Sequence, residues 1–132
     1  MQKGPSRSKK GALPRAPFDD IKRAILGARY ELSYGAVSAA EARALNKKYR
    51  KKSYVPDVLA FPFSASEGEI VLNTQALARE AKIRSVSVSA YTAYIFIHAC
   101  LHLKGFGHGA EMTTQEAKYL KKFNLKDKFP VL

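Results

Sequence analysis

Cysteine occurs once in the 132 residues, acidic side chains are outnumbered 23 to 11 by Lys and Arg, and no apolar run is long. Each shortage excludes something. A lone Cys100 cannot form an internal disulfide, which suits a reducing compartment. The longest apolar stretch, AYTAYIFI leading into HACLHL, is too short to cross a bilayer. The basic start MQKGPSRSKKG is followed by ALPRAPFDD and not by an apolar segment, so no signal peptide is expected. A soluble cytoplasmic protein with no membrane partner follows as the expectation. The deficit of acid leaves a net charge of +12 and a pI near 9.9, which favours a polyanionic partner, nucleic acid before membrane.

What is present is enough for one domain, since 46% of the residues are hydrophobic. Residues 1–16 carry five Lys or Arg among Gly, Ser and Pro and are expected to form a disordered basic tail. Residues 17–132 then make the domain. FDDIKRAILGA reads as a helix with acidic residues in its first turn, and RYELSYGAV as a strand. SAAEARALNKKYRKK reads as a helix opened by Ser38, with Glu41 at capping-box spacing. In VPDVLAFPF, Pro56 excludes helix and VLAF favours a strand. GEIVL is a second strand able to pair with it as a hairpin. NTQALAREAKI, a helix apolar nearly all round from about Val88 to Leu103, and EMTTQEAKYLKKF complete the chain. The expected fold class is α+β: a single compact domain with a small mixed β-sheet packed with helices and the apolar helix buried against it.

That apolar helix runs into HACLHLKGFGH, residues 98 to 108, which holds all three histidines of the chain. His98 and His102 fall one helical turn apart on one face. Gly105 can end the helix in the left-handed conformation, so the chain can turn and bring His108 back. Three neutral imidazoles make three legs of a tetrahedral zinc site whose fourth leg stays open, the form of a catalytic centre. One ion per chain is expected, although imidazoles also accept other divalent metals. Unligated, a pair of imidazoles in a buried helix would be costly. The spacing matches that of a class of zinc proteases, yet Ala99 stands where their general-base Glu belongs, which argues against peptide hydrolysis. Cys100, on the opposite side of the helix, reads as a small core residue.

Taken with two further blocks, the histidine motif resembles the YbeY family of bacterial ribosomal-RNA maturation factors. HACLHLKGFGH is similar to that family's H-G-x-L-H-L-x-G-Y-D-H. LNKKYRKKSYVPDVLAFPF, from Leu45, is similar to its L-N-x-x-Y-R followed by T-D-V-L-S-F-P-F. GEIVL, from Gly68, resembles its G-D-I-x-I strand. The departures are Pro56, Ala60, Glu69, Ala99, Phe106 and Gly107, the last at the position of an Asp able to orient a ligand or water. The family's opening strand has no clear counterpart before Phe18.

The resemblance implies a metal-dependent endoribonuclease that cuts single-stranded regions in small-subunit rRNA end processing and in ribosome quality control. It implies zinc on His98, His102 and His108, and Arg50 as the arginine that stabilises phosphate charge. A guanidinium suits that task because it offers two parallel hydrogen bonds. Lys47, Lys48, Lys51 and Lys52 are then expected to bind RNA through its phosphates, while Tyr49 could stack on a base or belong to the core. Ribosomal RNA, the small ribosomal subunit and its proteins, and a ribosome-assembly GTPase are the implied partners. The alternative is a non-catalytic assembly factor whose metal only stabilises the fold while the basic surface docks on ribosomal RNA.

Overall fold

Every residue from Gly68 to Asn73 is buried, a pattern that a strand shows only when both of its faces are covered. In the computed structural model, which describes residues 10–129, this segment is the middle strand of the sheet. The elements run α1 (Phe18–Leu26), β1 (Glu31–Val37), α2 (Ala39–Arg50), β2 (Val58–Ser64), β3 (Glu67–Asn73), α3 (Thr74–Ile83), α4 (Val88–Lys104) and α5 (Ala110–Lys122). Single 3-10 turns lie at Lys10–Ala12 and Lys126–Lys128. The strand order is β1-β3-β2. β1 pairs with β3 in parallel, from Glu31 opposite Glu67 to Val37 opposite Asn73. β2 and β3 form the expected antiparallel hairpin, with a register shift between Pro62 and Ser64. Pro62 has no N–H to give, and the edge position of β2 tolerates that.

Alternation along β3 divides the core. Ile70 and Leu72 point to Phe96, Ile97 and Leu101 of α4, whereas Val71 points to Ala42 and Leu45 of α2. The sheet therefore has α2 on one face and α4 on the other, with α1, α3 and α5 packed around α4. The expected α+β domain with a small mixed sheet is the one observed.

α4 begins at Ser87, whose Oγ accepts the Ala90 N–H at 3.0 Å, and ends at Gly105 with φ of 117°. Its buried residues lie all round the helix, Cys100 among them, and burial pushes the Cys100 thiol pKa up. Inert core packing is the role read for that residue. α2 opens with the Ser38 Oγ accepting the Glu41 N–H at 3.0 Å. It closes at Lys51, which has a left-handed φ of 57°.

The connection from α2 to β2 has no regular structure, but side chains hold its carbonyls. Arg43 Nε donates to Ser53 O at 3.1 Å, Asn46 Nδ2 to Tyr54 O at 3.0 Å, and Asn73 Nδ2 to Pro56 O at 3.2 Å. Asn46 and Asn73 are buried polar residues; the Asn73 amide is bonded at both ends, its Oδ1 accepting the Ala76 N–H at 3.3 Å, whereas Asn46 bonds through Nδ2. The loop that follows Arg50 is thereby tied down beside α4.

Of the tail expected over residues 1–16, residues 1–9 lie outside the described residues. Lys10–Ala12 pack beside β1, and Leu13 and Ala16 rest on the core. No strand precedes β1 among the described residues. No single described helix is long and apolar enough to cross a membrane.

Candidate metal centre

His98 and His102 occupy successive turns of α4, and the left-handed Gly105 reverses the chain so that His108 faces them. Phe106 N–H bonds Leu101 O at 3.0 Å, and Gly105 N–H bonds His102 O at 3.0 Å. These two bonds close the helix end and fix the turn. One nitrogen from each ring lies within 4.8 Å of the others, and no further His, Cys, Asp or Glu among the described residues joins the group. The rings are packed edge to face, with centroids 4.5 Å apart for His98 and His102 and 5.0 Å apart for His102 and His108.

Hydrogen bonding determines what these rings offer. His102 Nδ1 lies 2.9 Å from the Phe106 carbonyl oxygen, which can only accept, so the ring carries its proton on Nδ1 and presents a bare Nε2 lone pair. That Nε2 is 3.0 Å from His98 Nε2. On its far side, His98 Nδ1 is hydrogen-bonded to the carboxylate of Glu116, which is buried. Ligand atoms at about 2.0–2.1 Å from a tetrahedral zinc ion sit about 3.3 Å from one another. The cluster, all nitrogen and lacking a fourth protein donor among the described residues, fits a divalent metal with one position left for solvent or substrate.

The histidines form one side of a cleft of about 380 Å³. Arg50 at the end of α2, with Tyr54, Asp57 and Val58 from the tied loop and the start of β2, forms the other. Asp57 is held from behind by Tyr91, whose hydroxyl donates to Oδ2 at 3.1 Å. Burial, reinforced by that carboxylate, pushes the Tyr91 pKa up, so the phenol stays a donor. Ala99 lies in the cleft where the protease base would stand and brings no carboxylate.

Residues 17–126 match the family model described as Endoribonuclease YbeY. The chain belongs to the YbeY family. A curated relative named Endoribonuclease YbeY from Thiobacillus denitrificans is 34% identical, the match covering 72% of this chain and 71% of the relative. One of the same name from Paraburkholderia phymatum is 32% identical over 91% of this chain and 85% of its own length. A solution structure from Thermotoga maritima matches with a TM-score of 0.58 at 23% identity, covering 85% of this chain and 78% of the other, and shows the shared fold.

Within the YbeY fold, all three expected ligands come together, and Arg50, far from them in sequence, shares their cleft. Lys47, Lys48, Lys51 and Lys52 are exposed on the last turn of α2 and just beyond it, and none lines the cleft. Tyr49 is neither core nor free: it is 47% exposed, with its ring edge on Phe61 and Lys48 Nζ 5.2 Å from the ring centre. At Gly107, where the YbeY pattern has Asp, an added Cβ would meet nothing within 4 Å. Neither Asp57 nor Glu116 stands out in the sequence as a site residue. Asp57 lies within the block that carries the YbeY resemblance. The available signal for Glu116 is a carboxylate on the same helical stripe as the buried Met112, Tyr119 and Leu120.

The His102 pKa is lowered, first by burial and then by the neighbouring His98, with the Phe106 carbonyl acting in the opposite direction. A folded-state pKa below the unfolded value of about 6.5 means that the unfolded chain binds more protons in that window. Stability is then lost as pH falls through it. Chelator-treated protein should show a falling thermal midpoint between about pH 7.5 and about pH 5.5, and metal retention should weaken in the same direction because protons compete for the imidazoles. A midpoint independent of pH across this range would contradict the assignment of a neutral, proton-resisting His102.

Proposed function

We propose that the chain is a metal-dependent endoribonuclease of the cytoplasm that cleaves single-stranded segments of ribosomal RNA, in end processing of the small-subunit rRNA and in ribosome quality control. The observation that carries this reading is one cleft shared by three convergent imidazoles and a guanidinium. The naming of the relatives as endoribonucleases supports RNA as the substrate. Zinc is the ion that best suits a donor set of three neutral nitrogens with an open fourth position. When bound, it supplies acidified water and a positive charge facing the scissile phosphate.

The chain's own residues do the remainder. His98, His102 and His108 are neutral donors, so they leave the charge of an ion uncancelled. Arg50 receives the negative charge that builds on the phosphate oxygens, through two parallel hydrogen bonds. Lys47, Lys48, Lys51 and Lys52 hold the flanking phosphates without reading sequence. Docking on the small subunit and its proteins, with a ribosome-assembly GTPase, brings the RNA to the cleft.

Purified protein should cut a single-stranded ribosomal RNA fragment, lose that activity to a chelator and regain it with zinc. RNA binding should weaken with salt at a slope of about −0.7 in log K per phosphate contacted. Chelator-insensitive or undetectable cleavage, with salt-dependent binding intact, would overturn the enzyme reading in favour of a docking factor.

A further inference from the structure

Glu116 lies in the middle of the inward face of α5, between Met112 and Leu120, only 5% exposed. A carboxylate in such a stripe needs a strong partner, and His98 Nδ1 provides it. The consequence lies on the other side of the His98 ring. His102 presents an unprotonated Nε2 because its Nδ1–H donates to the Phe106 carbonyl, and that Nε2 lies 3.0 Å from His98 Nε2. If His98 carried its proton on Nε2, it would donate to His102, and the two ligand nitrogens would satisfy each other. Such a pair offers no lone pair to a metal.

We propose that Glu116 is a positioning residue that prevents this self-pairing. By accepting a hydrogen bond from the Nδ1–H of His98, it keeps that proton off the metal-facing nitrogen. Both Nε2 lone pairs then face the same point, an arrangement that is repulsive by itself and favourable around a cation. The orienting carboxylate thus comes from α5, whereas the neighbour of His108 that carries an Asp in the YbeY pattern is Gly107 here. Packing of α5 on α4 becomes a condition for metal loading. This inference rests on the three histidines holding a metal, and its test separates the two ideas.

In metal-free protein, long-range 15N spectra of the imidazoles should show the Nδ1–H tautomer for both His98 and His102. Glu116→Ala should move His98 toward the Nε2–H tautomer and leave His102 unchanged, since its partner is a backbone carbonyl. Zinc affinity, read by competition with a chromophoric chelator, should fall about 10- to 100-fold, the usual effect of removing such a partner. Glu116→Gln keeps the side-chain volume, but its amide can turn NH2 toward Nδ1 as readily as its oxygen, so this variant should also lose the Nδ1–H preference and bind zinc more weakly than wild type. That comparison also serves if the alanine variant folds poorly. A wild-type His98 in the Nε2–H form, or zinc affinity equal in wild type and both variants, would overturn the proposal. Failure of the wild type to bind zinc, with the tautomers as expected, would instead remove the metal reading and leave the hydrogen-bond selection standing.

Discussion

His102→Ala is expected to abolish stoichiometric metal binding and, with it, RNA cleavage, while the fold survives. The side chain offers one of the three convergent ring nitrogens, and its ring packs against both His98 and His108. Four-ligand zinc sites hold their ion by about 10–16 kcal/mol in all, so one lost ligand corresponds to affinity weakened by roughly a hundredfold or more. The cost to stability is smaller, because His102 makes one hydrogen bond to Phe106 O and is only half-buried, and such a bond contributes about 1 kcal/mol. The two magnitudes make the experiment decisive. Circular dichroism should report a folded protein with a modestly lower midpoint, and metal analysis after gel filtration should report less than one ion per chain. Wild-type zinc affinity in the variant would remove His102 from the ligand set.

Arg50→Lys should slow cleavage by about tenfold or more, at least about 1.4 kcal/mol of transition-state stabilisation, with RNA affinity and metal content near wild type. Lysine keeps the positive charge but lacks the planar fork that meets two phosphate oxygens at once. A residue that only tracked the RNA backbone would tolerate the change, as the lysines at 47, 48, 51 and 52 should tolerate exchange for arginine. An interaction made mainly in the transition state lowers kcat and kcat/KM together, whereas loss of uniform binding raises KM alone. Equal rates for wild type and variant, measured in single-turnover reactions, would reject Arg50 as the group that receives the developing charge.

The same features that make these experiments informative differ in how far the sequence reveals them. The histidine pair is legible because i and i+4 share a helix face, and Gly105 is legible because its left-handed conformation, observed with φ of 117°, is one that glycine adopts without strain. The burial of α4 follows from its apolar residues on all sides, and the Ser38 and Ser87 caps follow from residue type and spacing. In each case the determining residues lie within a turn or two of one another. The entry of Arg50 into the cleft is not local in that sense. It depends on the amides of Asn46 and Asn73 gathering the carbonyls of Tyr54 and Pro56, and the two Asn residues are brought there by different elements. Glu116 is further still from legibility. Its helical stripe makes a buried carboxylate visible, yet nothing in the stripe names His98 as the partner.

The sequence by itself therefore determined the elements, their caps, the hairpin of β2 and β3 and the three candidate ligands, because periodicity, turn chemistry and side-chain type act over short stretches of chain. Only the tertiary structure decided that β1 runs parallel to β3, that Arg50 and Asp57 face the histidines, and that a carboxylate from α5 stands behind His98. Those relations are set by which apolar faces find one another when the chain collapses. That choice depends on the shapes of whole elements, and no local pattern carries it.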